Sequence, residues 1–315
     1  MITLSDILKA RETIAGKLHR TPMLHSVALG KVTGTELYLK AELFQKTGSF
    51  KPRGALNKLH HLTDDEKKRG VITMSSGNHA QGLAFGASTL GIPATVVMPE
   101  STPDYKVQAA RGYGAEVILH GTMKDIEQKC YELKEARSLT LVHPFDDPLI
   151  VAGGGTVGLE ILEDVPAPDF VFVGIGGGGL ISGAATAIKS QRPGTKVIGV
   201  EPVGAPTMYE SLRKGAPIHL TQIDTIAEGL SGPFVGQLNL DHVREYVDDV
   251  VLVSDDEMVE AMRQILERCK VLAEPAGAAS FAALLSRKVG VPQGATVVCV
   301  LSGGNVNAAR LKQLL

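Results

Sequence analysis

Several short stretches of this chain carry residue types that could do chemistry. The first is Thr47-Gly48-Ser49-Phe50-Lys51-Pro52-Arg53-Gly54-Ala55. Proline is favoured at the start of a helix and disfavours helical geometry in the residue before it. Lys51 is therefore expected at the cap of a helix running on through Leu56 and Leu59. There it meets the positive end of the helix dipole, which eases loss of its proton. An amine that reaches its neutral form near neutral pH suits a nucleophile or a Schiff-base lysine. The second stretch, Ser75-Ser76-Gly77-Asn78-His79, falls between an apolar strand and a helix. Helix N-termini offer free N–H groups and positive potential, so this loop can hold a carboxylate or phosphate.

The third stretch runs from Gly174 to Gly183 and includes Gly176-Gly177-Gly178-Gly179-Leu180, directly after the strand Phe170 to Val173. Successive glycines let a backbone wrap around an anion and aim its N–H groups inward, so phosphate is the natural guest. Gly174, Gly176 and Gly179 also satisfy G-x-G-x-x-G, with Glu201 placed after the next strand like a ribose-binding acid. A nicotinamide oxidoreductase is thus a competing reading, although it gives no use to Lys51 or to Ser75–His79. Ser302-Gly303-Gly304-Asn305 closes the last strand as a tight turn, and Gly153-Gly154-Gly155-Thr156 reads as a flexible loop.

The elements that must position these stretches follow from periodicity. Ser5 is a candidate N-cap, followed by Ile7, Leu8, Arg11, Ile14 and Ala15 at helical spacing. Glu36 to Leu43 reads as a strand, and Thr63-Asp64-Asp65-Glu66 as a capping box that opens a second unit. Short apolar strands at Val71–Met74, Ala94–Met98 and Glu116–Leu119 then alternate with helices such as His79–Leu90, the pattern of parallel βαβ units. The pattern repeats at Phe170–Val173, Lys196–Val200, Val250–Val253 and Thr296–Leu301. Ser254–Glu257 forms another capping box, whose helix sets Met258, Met262, Ile265, Leu266 and Cys269 on one apolar, core-facing side.

A chain of 315 residues can bury a large core as one α/β domain or as a large domain with a smaller one. A net charge of −2 without a basic run argues against nucleic acid as a partner. Cys130, Cys269 and Cys299 lie far apart and signal neither disulfides nor zinc. The N-terminus has no signal-peptide pattern and no segment is long and apolar enough for a membrane span, so a soluble, cytoplasmic protein is expected.

Together these motifs resemble the fold-type-II pyridoxal-phosphate enzymes, specifically the serine/threonine dehydratase and serine racemase family. The similarity covers nearly the whole chain. It includes Lys40-Ala41-Glu42, the lysine stretch, Ser75–His79, His143-Pro144-Phe145-Asp146-Asp147, the glycines from Gly176, Glu274-Pro275 and Ser302–Asn305, all in the family's order. The resemblance implies an α/β fold with two parallel-sheet domains and the cofactor in the cleft between them. Residues 1–65 and 148–315 would form the large cofactor-binding domain and 66–147 the small substrate-binding one.

Carried over by position, Lys51 would hold the cofactor as a Schiff base and Phe50 would pack beside its ring. Asn78 would meet the ring hydroxyl, Gly176, Gly177, Gly178, Gly179 and Leu180 would cradle the phosphate, and Ser302 would meet the ring nitrogen. Ser75, Ser76, Asn78 and His79 would bind the substrate carboxylate, with Ser76 on the face opposite Lys51. The implied activity is dehydration and deamination of a small β-hydroxy amino acid, L-threonine or L-serine, to a 2-keto acid and ammonia. A serine at the ring nitrogen leaves the ring a weaker electron sink than a charged partner would, which suits elimination. Racemisation on the same cofactor is the alternative, since Ser76 could deliver a proton from the opposite face.

The chain departs from the family pattern in places. Glu201 and Ala205 match two ligands of a divalent cation such as Mg2+ in racemase-like members, while Thr207 replaces the third, an Asp. Asp125, Ile126 and Glu127 stand where some racemase-type members carry an arginine, which weighs against a dicarboxylate substrate. The chain stops soon after Ser302, so the regulatory domain of biosynthetic relatives is expected to be absent. The resemblance further implies a homodimer.

Overall fold

The computed structural model describes residues 1–315. Its strands are β1 (Met23–His25), β2 (Glu36–Ala41), β3 (Val71–Met74), β4 (Ala94–Met98), β5 (Glu116–Leu119), β6 (Thr140–Leu141), β7 (Phe170–Gly174), β8 (Lys196–Pro202), β9 (Asp249–Val253) and β10 (Thr296–Leu301). They form two sheets. The larger has the order β1-β2-β10-β7-β8-β9, the smaller β5-β4-β3-β6. Every pairing is parallel except that of β1 with β2.

Apolar runs fit such sheets because helices cover both faces of a parallel strand. In β7 and β10 the residues alternate between two cores. Phe170, Phe172, Val297, Cys299 and Leu301 join one with Phe281, while Val171, Val173, Val298 and Val300 join the other with Ile181. The strand after which the glycine run begins is thus the direct neighbour of the strand that ends at Ser302, through Val298 opposite Val171. Two loops distant in sequence leave the same end of the same sheet. β3 carries Ser75–His79 from the smaller sheet into the helix Asn78–Leu90, whose Ala80, Leu83 and Ala87 pack in that sheet's core.

The capping boxes at Thr63/Glu66 and Ser254/Glu257 form as read. Met258, Met262 and Ile265 are buried in the core, with Cys269 packed at its edge. The first helix, Leu4–Ile14, is capped by Thr3 rather than Ser5: Thr3 and Asp6 make the reciprocal capping box just ahead of the apolar face. β2 ends at Ala41, where a short 3-10 turn takes over Glu42–Phe44.

Gly153–Thr156 is not a loop. It is buried in the helix Pro148–Asp164, which crosses from the smaller sheet to the larger. The glycines serve contact between backbones: a Cβ on Gly153 would stand 2.4 Å from the carbonyl oxygen of Arg53, and one on Gly158 2.6 Å from that of Ala184. A run that reads as flexible is a close-packing surface. No helix is long and apolar enough to cross a membrane.

Candidate active site

Phe50, Lys51, Ser75, Ser76, Asn78, His79, Gly176, Gly177, Gly178, Gly179, Leu180 and Ser302 all line one cleft of about 240 Å3. Lys51 is the first residue of the helix Lys51–His60, one place inside the cap expected for it, with Phe50 as the N-cap. Its Nζ donates to the carbonyl oxygen of Pro144 at 2.9 Å and lies 5.1 Å from the centre of the Phe50 ring. No carboxylate pairs with it. Desolvation without a counter-charge pushes the amine down to about 8.

Directly behind Lys51, Arg53 has the opposite surroundings. Its guanidinium is 1% exposed. It donates to both oxygens of Glu42 at 2.7 and 2.8 Å and to both of Glu160 at 2.7 and 2.9 Å. Lys40 Nζ reaches the same Glu160 at 2.6 Å. Two cations and two anions thus pin the start of this helix to β2 and to the Pro148–Asp164 helix.

The glycine run turns from β7 into the helix Gly179–Gln191, with Gly178 as N-cap at φ +93° and no side chain capping it. The first N–H groups of that helix have no intrahelical acceptor and face an anion site by default. The turn leaves no room for side chains: a Cβ on Gly177 would fall 2.2 Å from the Phe145 ring, and one on Gly176 3.0 Å from the Gly229 carbonyl oxygen. Asn239, which sequence reasoning missed, donates to the carbonyl oxygens of Gly177 at 3.0 Å and Phe145 at 3.2 Å. It ties the glycine turn to the crossover that also receives Lys51.

The second helix N-terminus in the cleft has Gly77 as its N-cap, again without a side-chain cap. His79 is 2% exposed, its Nε2 lies 3.2 Å from the Val142 carbonyl oxygen, and burial pushes its imidazole down to about 3. Its ring is neutral and turned into the smaller unit. Any contact it makes with an anion in the cleft comes from its backbone. Asn78 donates to Glu274 at 2.6 Å and accepts from Asn305 at 2.7 Å. Glu274 and Asn305 line the cleft as well; only their place in the matched motifs marked them in the sequence.

A profile described as pyridoxal-phosphate dependent enzyme matches residues 14–303. The chain belongs to this family. The L-threonine ammonia-lyase of Thermotoga maritima is 46% identical over 316 residues, covering 100% of this chain and 78% of that protein. L-threonine dehydratase catabolic TdcB of Staphylococcus aureus is 43% identical over 320 residues, covering 100% of this chain and 92% of that one. Among solved structures, maize serine racemase matches with a TM-score of 0.94 at 39% identity, covering 99% of this chain and 96% of that one. The threonine deaminase of T.th. matches with 0.92 at 43%, covering 97% and 99%.

The residues present fit the family's cofactor. The cleft offers a lysine amine close to neutrality, a glycine turn at an uncapped helix N-terminus, and buried Ser302, whose hydroxyl lies 3.5 Å from the carbonyl oxygen of Ala276. A phosphate needs the second and a heteroaromatic ring suits the third.

Glu201 does not serve the ribose-binding role considered for it. It is fully buried at the end of β8, and its carboxylate accepts the backbone N–H groups of Met208 at 2.7 Å and Tyr209 at 2.8 Å. Enclosed in this way it cannot reach a ribose. Ala205 is buried in the turn that follows β8, and Thr207, at the place of the third cation ligand, donates its hydroxyl to the Gly232 carbonyl oxygen at 2.7 Å. Burial pushes the Glu201 carboxyl up to about 8, against the pull of those N–H groups.

Proposed function

We propose that this protein is a pyridoxal-phosphate ammonia-lyase that converts L-threonine, and L-serine, to a 2-keto acid and ammonia. The observation that carries it is a part-buried lysine without a counter-ion in the same cleft as two uncapped helix N-termini. The names of the relatives support the choice of threonine.

When bound, pyridoxal phosphate supplies a ring that takes up the electrons released as a bond at the substrate's Cα breaks. The turn Gly176–Leu180 would hold its phosphate, Lys51 its carbonyl carbon, Phe50 its flank, Asn78 its ring hydroxyl and Ser302 its ring nitrogen. Ser75, Ser76 and the backbone N–H groups of Asn78 and His79 would hold the substrate carboxylate at the helix N-terminus. Lys51, neutral in a large fraction of molecules near pH 8, takes the α-proton onto Nζ as general base. The α-proton and the β-hydroxyl leave as water. Hydrolysis of the released enamine consumes one water and gives the keto acid and ammonia.

Ser76 in the same cleft, and the serine racemase neighbour, favour a second reading in which a proton returns from the opposite face. A panel of L-serine, L-threonine and 3-hydroxyaspartate separates the two. Keto acid from L-threonine supports the lyase; D-serine without keto acid establishes the racemase.

The same reading takes residues 1–65 with 148–315 as the cofactor-binding domain and 66–147 as the substrate-binding one, in accord with the two sheets. It takes the protein as a cytoplasmic homodimer, consistent with three free cysteines. Light scattering of the purified protein tests the dimer.

A further inference from the structure

Glu274 has no part in the reading above, yet it is 9% exposed and lines the cleft. It is the N-cap of the helix Pro275–Leu285 but makes no capping bond with its side chain. Its Oε1 accepts from Asn78 Nδ2 at 2.6 Å instead. Asn78 Oδ1 accepts from Asn305 Nδ2 at 2.7 Å, and the same nitrogen donates to the carbonyl oxygen of Thr47 at 2.7 Å. Gly303 makes room for this: a Cβ there would stand 2.4 Å from Glu274 Oε1 and 3.1 Å from Asn78 Nδ2.

The chain of bonds has a direction. A backbone carbonyl can only accept, so the Asn305 amide nitrogen faces Thr47 and spends its other N–H on Asn78. The Asn78 oxygen is thereby turned toward Asn305, and its nitrogen faces Glu274. Turning the Asn78 amide over would set nitrogen against nitrogen at Asn305 and, with Glu274 ionised, oxygen against oxygen at Glu274. Ionised or protonated, Glu274 keeps an acceptor oxygen for Asn78. One Asn78 N–H goes to Glu274, and a second remains.

We propose that Glu274 is a positioning residue: with Asn305 it fixes the Asn78 amide so that the second N–H donates to the ring hydroxyl of bound pyridoxal phosphate. This rests on the reading that Asn78 contacts the cofactor and supplies what holds it there.

The test is a double-mutant cycle on the dissociation constant of pyridoxal phosphate, measured by visible absorbance titration of the apoenzyme. Glu274→Ala should weaken binding about tenfold in the wild-type background and less than about twofold in Asn78→Ala. Glu274→Gln, which keeps an acceptor oxygen, should stay within about threefold of wild type. Glu274→Met, of similar length and apolar, runs the same cycle if the alanine variant does not fold. Equal weakening in both backgrounds, or none in either, overturns the relay. Asn78→Ala binding the cofactor like wild type instead overturns the Asn78 contact itself. Melting of the apoenzymes separates a merely structural role, which would lower stability and leave the coupling at zero.

Discussion

Lys51 and Arg53 stand two residues apart at the start of one helix, Arg53 fully buried and Lys51 part-buried in the cleft, and the protein treats them in opposite ways. Arg53 is met by two carboxylates, which hold its charge in place and raise its proton affinity further. Lys51 is met by a carbonyl oxygen alone, and its amine falls to about 8. Burial with counter-charge makes an anchor, because removing either partner strands the other in a poor solvent for ions. Burial without it makes an amine that gives up its proton easily. The anchor fixes the backbone from which the reactive amine projects.

The sharpest test of this division is to exchange the consequences. Lys51→Ala should lower keto-acid release from L-threonine by at least about 10³-fold. Urea unfolding of its apoprotein should show a loss below about 1 kcal/mol. Arg53→Ala should do the reverse to stability, costing about 3–5 kcal/mol by leaving Glu42 and Glu160 unpaired. Arg53→Lys should fall between, since an ammonium cannot make the two-pronged pairs. Comparable stability losses for Lys51→Ala and Arg53→Ala would break the comparison.

A smaller effect is expected where the anchor meets its neighbouring helix. Gly153→Ala drives a methyl toward the Arg53 carbonyl oxygen, 2.4 Å away, and should cost about 1–3 kcal/mol. Gly112→Ala, with nothing within 4 Å of the new methyl, should be neutral or slightly stabilising in the same urea assay. The subtlest effect is on pH. A lysine value lowered to about 8 means that Lys51 sheds its proton earlier than solvated lysines do. Acylation of Lys51 in the apoprotein, followed by peptide mass, should therefore rise through a midpoint near pH 8. A midpoint near that of surface lysines would show that the amine is not desolvated.

What was legible in the sequence was local. Glycines after an apolar strand and polar residues between strand and helix name anion sites by themselves, and the structure brings Gly176–Leu180 and Ser75–His79 into one cleft. Lys51 could be singled out, but through the helix dipole and not through desolvation, because the helix start was visible and the enclosing Pro144, 93 residues away, was not. Glu201 looked like a ribose acid only while its own helix cap, Met208 and Tyr209, was unseen. The triple glycine at Gly153 misled because composition alone cannot tell a flexible loop from a surface that must touch another backbone. Asn239 and Glu274 depend on contacts across long sequence separations, such as Gly177 with Asn239 and Asn78 with Glu274. No periodicity reports those.

The central claim is that Lys51, made reactive by burial without a partner, is the lysine that carries the cofactor. Borohydride reduction of the purified holoenzyme followed by peptide mapping tests it most directly. A phosphopyridoxyl mass increment on the peptide bearing Lys51, and its loss in Lys51→Ala, is the predicted result. The same increment on Lys40, Lys46, Lys58 or Lys106, with Lys51 unmodified, would contradict it.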